Sequence, residues 1–333
     1  MDASNWTPMR WPCGPLEIER GKRREGFSDG ERDALELWQA PKMLERLEGT
    51  PFDCLVVPWA DGLAGDEEHQ RSLAPLVSAA RGAGLALVGD VGEGADLRRA
   101  AQAAESAGLQ ALATESSEPL EGFAVLRFGA PSVSEGSPRP FVGVTGLPWP
   151  GLKVELATAA DAVSGPTGPP WIDSNAWFVR LAGEVLRPDT TWLSYAPPEG
   201  DPGDAGATSE QAIADAEVYG ARWVVSLDTG LRLDLALGRD PGQQTWRRVG
   251  RTVEFFEAHR AWAQLRPVGL LGVVSDYSGP NEFLSFEVLN LLARYSRLYR
   301  IIPRQVEPSR DATDPFEGLK AVLYVDESPP GEE

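Results

Sequence analysis

Short apolar runs, each of strand length and several with helical stretches between them, constrain this chain more than any other feature. They fall at 54–59 (Cys-Leu-Val-Val-Pro-Trp), 85–91, 111–115, 125–128, 141–145, 191–195 and 222–228, with 10–18 as a candidate first strand. Between the early ones, residues 67–83 place Leu73, Leu76, Val77 and Ala80 on one helical face and stop at Gly82 and Gly84. Residues 95–107 read as the next helix, closed by Gly108. Further helices are expected at 173–186, 210–220 and 244–265, and a shorter one at 41–47 with Pro41 in its first turn. Runs apolar throughout suit strands buried on both faces, and their alternation with helices predicts a parallel sheet.

Eight such strands by residue 228 are enough to close a (β/α)8 TIM-like barrel, expected to span 1–266. The remaining residues, 267–333, form a second unit. It opens on a strongly apolar strand at 267–276, followed by an amphipathic helix at 281–297 and strands at 299–303 and 320–325. That order predicts a small, incomplete, flavodoxin-like α/β segment. One helix leaves one face of such a sheet bare, so the segment is expected to lean on the barrel or to join copies of the chain as a homo-oligomer.

The formal charge of −19 disfavours nucleic acid and anionic membrane surfaces, which would repel the chain. Only Cys13 and Cys54 are present, too few and too far apart for a disulfide framework or a zinc-ligand spacing. Residues 1–18 contain no cationic stretch leading into an apolar run, so the expected location is cytoplasmic. His69 and His259 both fall in helical stretches, which argues against a histidine-rich metal centre, and no metal site is expected. Neither a dinucleotide-binding glycine fingerprint, nor a phosphate-binding loop, nor a Gly-x-Ser-x-Gly elbow occurs, and no cofactor is expected.

A parallel barrel gathers the carboxyl ends of its strands on one face, where active sites are built. Asp61, Asp90, Glu115 and Asp228 stand at or just beyond strand ends, and eleven tryptophans accompany them. Flat indoles stack on the apolar faces of sugars, while carboxylates take the hydroxyls. Trp59 and Trp149 are the rim candidates, whereas Trp192, Trp223 and Trp246 read as core. Pro170-Trp-Ile-Asp-Ser-Asn-Ala-Trp177 packs Trp171, Asp173, Asn175 and Trp177 into one strand-to-helix corner. Each acid also has a plainer use: Asp173 as a helix cap, Asp90 and Asp228 in turns. The basic cluster 20–24 reads as a solvated turn, and Glu17 and Glu19 alternate as on a strand.

Strand-end acids, abundant tryptophan and the segment Gly272-Val-Val-Ser-Asp-Tyr-Ser278 together resemble barrel glycoside hydrolases. In some β-galactosidase-like members a barrel is followed by an amidotransferase-like or trimerisation domain. The resemblance implies hydrolysis by two carboxyl groups, one after strand four and one after strand seven. Glu115 matches the first, with Thr114 where an asparagine is usual. No acid ends the 191–195 strand, so Asp228 takes the partner role. The expectation is a glycoside-hydrolase-like barrel acting on or binding a carbohydrate, with Glu115 and Asp228 catalytic. Trp59, Asp61, Trp149, Trp171, Asp173, Asn175 and Trp177 would bind substrate. The alternative is a non-catalytic carbohydrate-binding or assembly protein.

Overall fold

The computed structural model describes residues 3–23, 26–133, 139–145, 150–153, 171–195, 205–265, 268–304 and 314–326. Strands β1 (Pro8–Arg10), β2 (Cys54–Ala60), β3 (Ala86–Val91), β4 (Ala111–Thr114), β5 (Val125–Gly129) and β6 (Phe141–Val144) follow one another. After the antiparallel pair β7 (Gly151–Lys153) and β8 (Trp171–Asp173) come β9 (Thr190–Ser194) and β10 (Ala221–Val224). All eight strands outside that pair run parallel, in the order β1-β2-β3-β4-β5-β6-β9-β10. The ends of this sheet meet at a Met9–Val225 bridge, where the Arg10 N–H donates to the Val225 carbonyl at 2.8 Å. The result is a nearly closed parallel barrel of TIM type.

Alternation along β2 shows how one run feeds two cores. Cys54 and Val56 face the barrel interior with Val88, Ala111, Ala113, Leu126, Trp192 and Val224. Leu55, Val57 and Trp59 face outward into the layer beneath the helices. Trp192, the largest side chain of this interior, shares it with the small Ala111 and Ala113 of β4 and packs edge-on against Phe141 at 5.6 Å. Before β1, the short turn Ala3–Asn5 and Trp6 lie over the amino-terminal end, with Trp6 tilted against Trp192 at 6.3 Å.

The surrounding helices are α1 (Gly14–Lys22), α2 (Asp29–Trp38), α3 (Asp66–Gly82), α4 (Leu97–Ala107), α5 (Ala176–Val185), α6 (Ala205–Glu217), α7 (Thr229–Leu237) and α8 (Asp240–Ala258). Their ends are set by local chemistry. Ser28 and Glu31 form a reciprocal capping box on α2, Asp96 caps α4, and Gly108 ends α4 in the left-handed region at φ +82°.

Several elements differ from expectation, among them the helix expected at 173–186, which starts at Ala176 with Asp173 on β8 instead of at its cap. The stretch expected as a strand at 10–18 is β1 plus the start of α1, so Glu17 and Glu19 lie on a helix. Pro15 in the first turn suits a helix start, and Leu16 turns inward as α1 packs on the barrel. Residues 41–47 are a 3-10 helix, and the expected 244–265 helix is α8 followed by a 3-10 turn at Arg260–Gln264.

Beyond the barrel, β11 (Leu271–Ser275), helix α9 (Glu282–Arg294), β12 (Tyr299–Pro303) and β13 (Ala321–Tyr324) build a parallel sheet of order β12-β11-β13. This sheet leans on α5. The Phe286 ring lies 5.0 Å from Trp177, and the Arg180 guanidinium sits 3.8 Å from the centre of the Tyr299 ring. Among the described residues no helix is long and apolar enough to cross a membrane.

Candidate functional site

A cavity of about 300 Å³ opens at the carboxyl-terminal mouth of the barrel. Its polar wall comes from the ends of several strands: Arg10 on β1, Asp90 on β3, Glu93 and Glu115 just beyond β3 and β4, Thr145 after β6, and Ser194 on β9. Val56, Ala113, Phe128 and Val224 supply the apolar floor. The size falls at the low end of small-molecule pockets.

One side of the mouth is held by an ion network. Arg20, from α1, grips Asp61 with two donors, Nη2 to Oδ1 at 2.7 Å and Nε to Oδ2 at 3.1 Å. Its Nη1 reaches Asp90 Oδ2 at 2.7 Å, and Arg10 Nη1 meets the same oxygen at 3.0 Å. Arg10 Nη2 also donates to Ser194 Oγ at 3.2 Å. Burial alone would raise the Asp90 carboxyl, but the two guanidinium groups outweigh it and hold Asp90 below the usual carboxylate range. Asp90 is thus a fixed anion, suited to accepting hydrogen bonds. Gly92 belongs to this construction, since a Cβ there would come within 2.6 Å of Asp61 Oδ1.

Beneath the network, His69 of α3 accepts from the Leu16 N–H through Nδ1 at 3.2 Å and faces the Pro58 carbonyl through Nε2 at 2.9 Å. These contacts pin the first turn of α1, and so Arg20, to β2. Burial lowers the His69 pKa, which favours the neutral ring that can both accept and donate.

The residues singled out in the sequence scatter over the molecule. Glu115 lines the mouth, exposed, and accepts from Thr145 Oγ1 at 3.3 Å. Asp61 stands behind the mouth, joined to it through Arg20. Asp228 does not line the cavity: it is the N-cap of α7, accepting from the Leu231 N–H at 2.9 Å. Trp59 is 1% exposed, with its indole N–H donated to the Ala100 carbonyl, so it belongs to the helix-facing core. The reason is parity, because Trp59 shares its face of β2 with Leu55 and Val57. Trp177 is buried against Phe178 and Phe286. Asn175 is fully buried at the start of α5, where Asp215 Oδ2 accepts from its backbone N–H at 2.6 Å. Asp173 and Trp171 lie on β8, and Trp149 lies outside the described residues.

Arg10, Arg20, Thr145 and Ser194 went unremarked as site residues in the sequence. A strand-end position was the available signal for Arg10, Thr145 and Ser194. Arg20 left no such mark, and its placement in a solvated turn is corrected by its contacts with two carboxylates. Asp90 and Glu115 end or follow neighbouring strands whose register pairs Asp90 with Ala113. Strand spacing and rise then put their Cα atoms about 8 Å apart, across one corner of the cavity. Among the described residues no three His, Cys, Asp or Glu side chains converge as metal ligands. No protein-family model matches the chain, and no curated protein matches it in sequence.

Proposed function

We propose that the mouth of this barrel takes a small carbohydrate. The observation that carries the reading is the cavity itself: a ring of hydrogen-bonding groups from strand ends, Arg10, Asp90, Ser194, Thr145 and Glu115, over an apolar floor that includes Phe128. Hydroxyls find both donors and acceptors on that ring, and the Phe128 ring offers a face for sugar C–H groups. Among the carboxyl groups, Glu115 with Asp90 supports the role first given to Glu115 with Asp228, because both line one cavity.

Two forms of the reading remain distinct. If the site hydrolyses glycosides, Asp90, held ionised, serves as the stabilising or nucleophilic carboxylate, and Glu115 as the proton donor. If it only binds, the same groups orient the sugar without turnover. The paired state of Asp90 and the capping role of Asp228 favour binding. Titration with a panel of monosaccharides by NMR or calorimetry tests the shared claim, and the absence of binding to any sugar would end it. Turnover on aryl glycosides separates the two forms: in a hydrolase, Glu115→Gln costs about 100-fold or more in rate.

The C-terminal sheet supports a flavodoxin-like reading through its parallel β12-β11-β13 order, which turns outward in both directions from β11. The exposed strand β13 suits that segment to pairing with a second copy. A cytoplasmic location accords with two buried, unpaired thiols, Cys13 and Cys54.

A further inference from the structure

We infer that the sugar taken at the barrel mouth carries a positively charged amine, that is, an amino sugar with its nitrogen free. The inference rests on the carbohydrate reading above and adds the charge of the ligand.

The charges around the cavity fall into two groups. Arg10 and Arg20 are spent on Asp61 and Asp90 at 3.1 Å or less, and Arg20 also meets Glu17 at 3.6 Å, so no positive charge is left over. Glu93 and Glu115 stand outside that balance. Among the described residues Glu115 accepts only the Thr145 hydroxyl, and Glu93 has no hydrogen-bond or ion-pair partner. Among the described residues neither forms an ion pair, so this side of the rim carries two carboxylates without a paired cation.

Exposed acids are commonly just solvated, but these two overhang a cavity walled by Val56, Ala113, Phe128 and Val224. Low-dielectric walls focus the field of charges at a cleft's rim and raise the local concentration of the opposite sign. Both acids follow adjacent strands, β3 and β4, and so share one side of the rim. Arg10 and Ser194 lie on the side formed by β1 and β9. A bound amino sugar would therefore point its ammonium at Glu93 and Glu115 and its hydroxyls at Arg10, Asp90 and Ser194. A sugar acid would meet the same rim with the wrong sign.

Calorimetric titration of the full chain with D-glucosamine, D-glucose, N-acetyl-D-glucosamine and D-glucuronate tests this, at about pH 6, where the amine is protonated. Glucosamine is expected to bind about tenfold more tightly than glucose, the order that two exposed charge contacts supply, and glucuronate most weakly. The preference should shrink as salt is raised. Glu93→Gln, combined with Glu115→Gln, should bring glucosamine and glucose to within about twofold, with an unchanged melting temperature showing that the double variant folds. Equal binding of glucosamine and glucose, or tighter binding of glucuronate, overturns the inference and leaves the carbohydrate reading standing. Failure of all four sugars to bind removes the carbohydrate reading, and this inference with it.

Discussion

Arg20 joins Asp61, just past β2, to Asp90 on β3, so its loss is felt at the mouth. Its side chain is 22% exposed and its main partner Asp61 is 9% exposed, so truncation leaves carboxylates short of partners where water reaches them poorly. Arg20→Ala is expected to lower stability by about 2–3 kcal/mol in denaturant titration. Arg20→Lys should recover little, because an ammonium cannot reproduce the two-point grip on Asp61. His69 and Glu217 set opposing pH dependences. The folded pKa of His69 lies below its ordinary 6.5, so acidification below that point protonates the unfolded chain first and stability falls. Burial pushes Glu217 from its ordinary 4.5 up to about 7, against Arg222 and with help from the Glu257 carboxylate. The folded chain then holds a proton that the unfolded chain has lost, and stability falls as pH rises through that window. Just below pH 6.5 the two slopes oppose. Denaturation midpoints there should rise with pH in Glu217→Gln and fall with pH in His69→Gln, whose amide can still donate and accept. Little of this was legible in the chain. His69 and Arg20 read as ordinary helix and turn residues, since their partners are brought in from β2 and β3.

At the scale of elements, the strands were readable because most are apolar throughout, the mark of burial on both faces. The exception at 10–18 is instructive. Leu16 and Ile18 alternate with Glu17 and Glu19, which suits a strand, but so short a stretch fits a helical face equally well. Packing on the barrel chose the helix. Helix ends were legible where a residue's own conformational freedom sets them, as at Gly108, whose left-handed backbone closes α4. Asp228 shows the limit: its place before Thr229-Gly230 marked a turn, and the structure makes that turn the start of α7. Asp228→Ala should cost about 1 kcal/mol through the lost cap, while Asp228→Asn, which retains a capping oxygen, should cost a few tenths. Thermal melts of the two variants check this. A large loss of sugar binding in the folded Asp228→Asn protein would return the residue to the site.

The whole molecule joins the barrel to a three-stranded sheet through α5. Trp177 packs on Phe286, and Arg180 donates to the Tyr299 carbonyl while stacking on its ring. A sheet with one helix is too small to bury a core alone, so the two parts should unfold together. Scanning calorimetry is expected to show one transition, and Trp177→Ala to lower it as a unit by about 3 kcal/mol. Two separated transitions in the unaltered chain would refute the coupling. By itself, the sequence determined most of the segments that become strands, where several helices stop and that eight parallel strands were at hand, because buried runs, caps and breakers act over a few residues. Only the tertiary structure decided which face each tryptophan takes and which acids meet. Closing the ring brings Arg10, Asp90, Glu115 and Ser194 to one mouth and leaves Trp59 and Asp228 outside it, since charges attract and rings stack by distance in space rather than by distance along the chain.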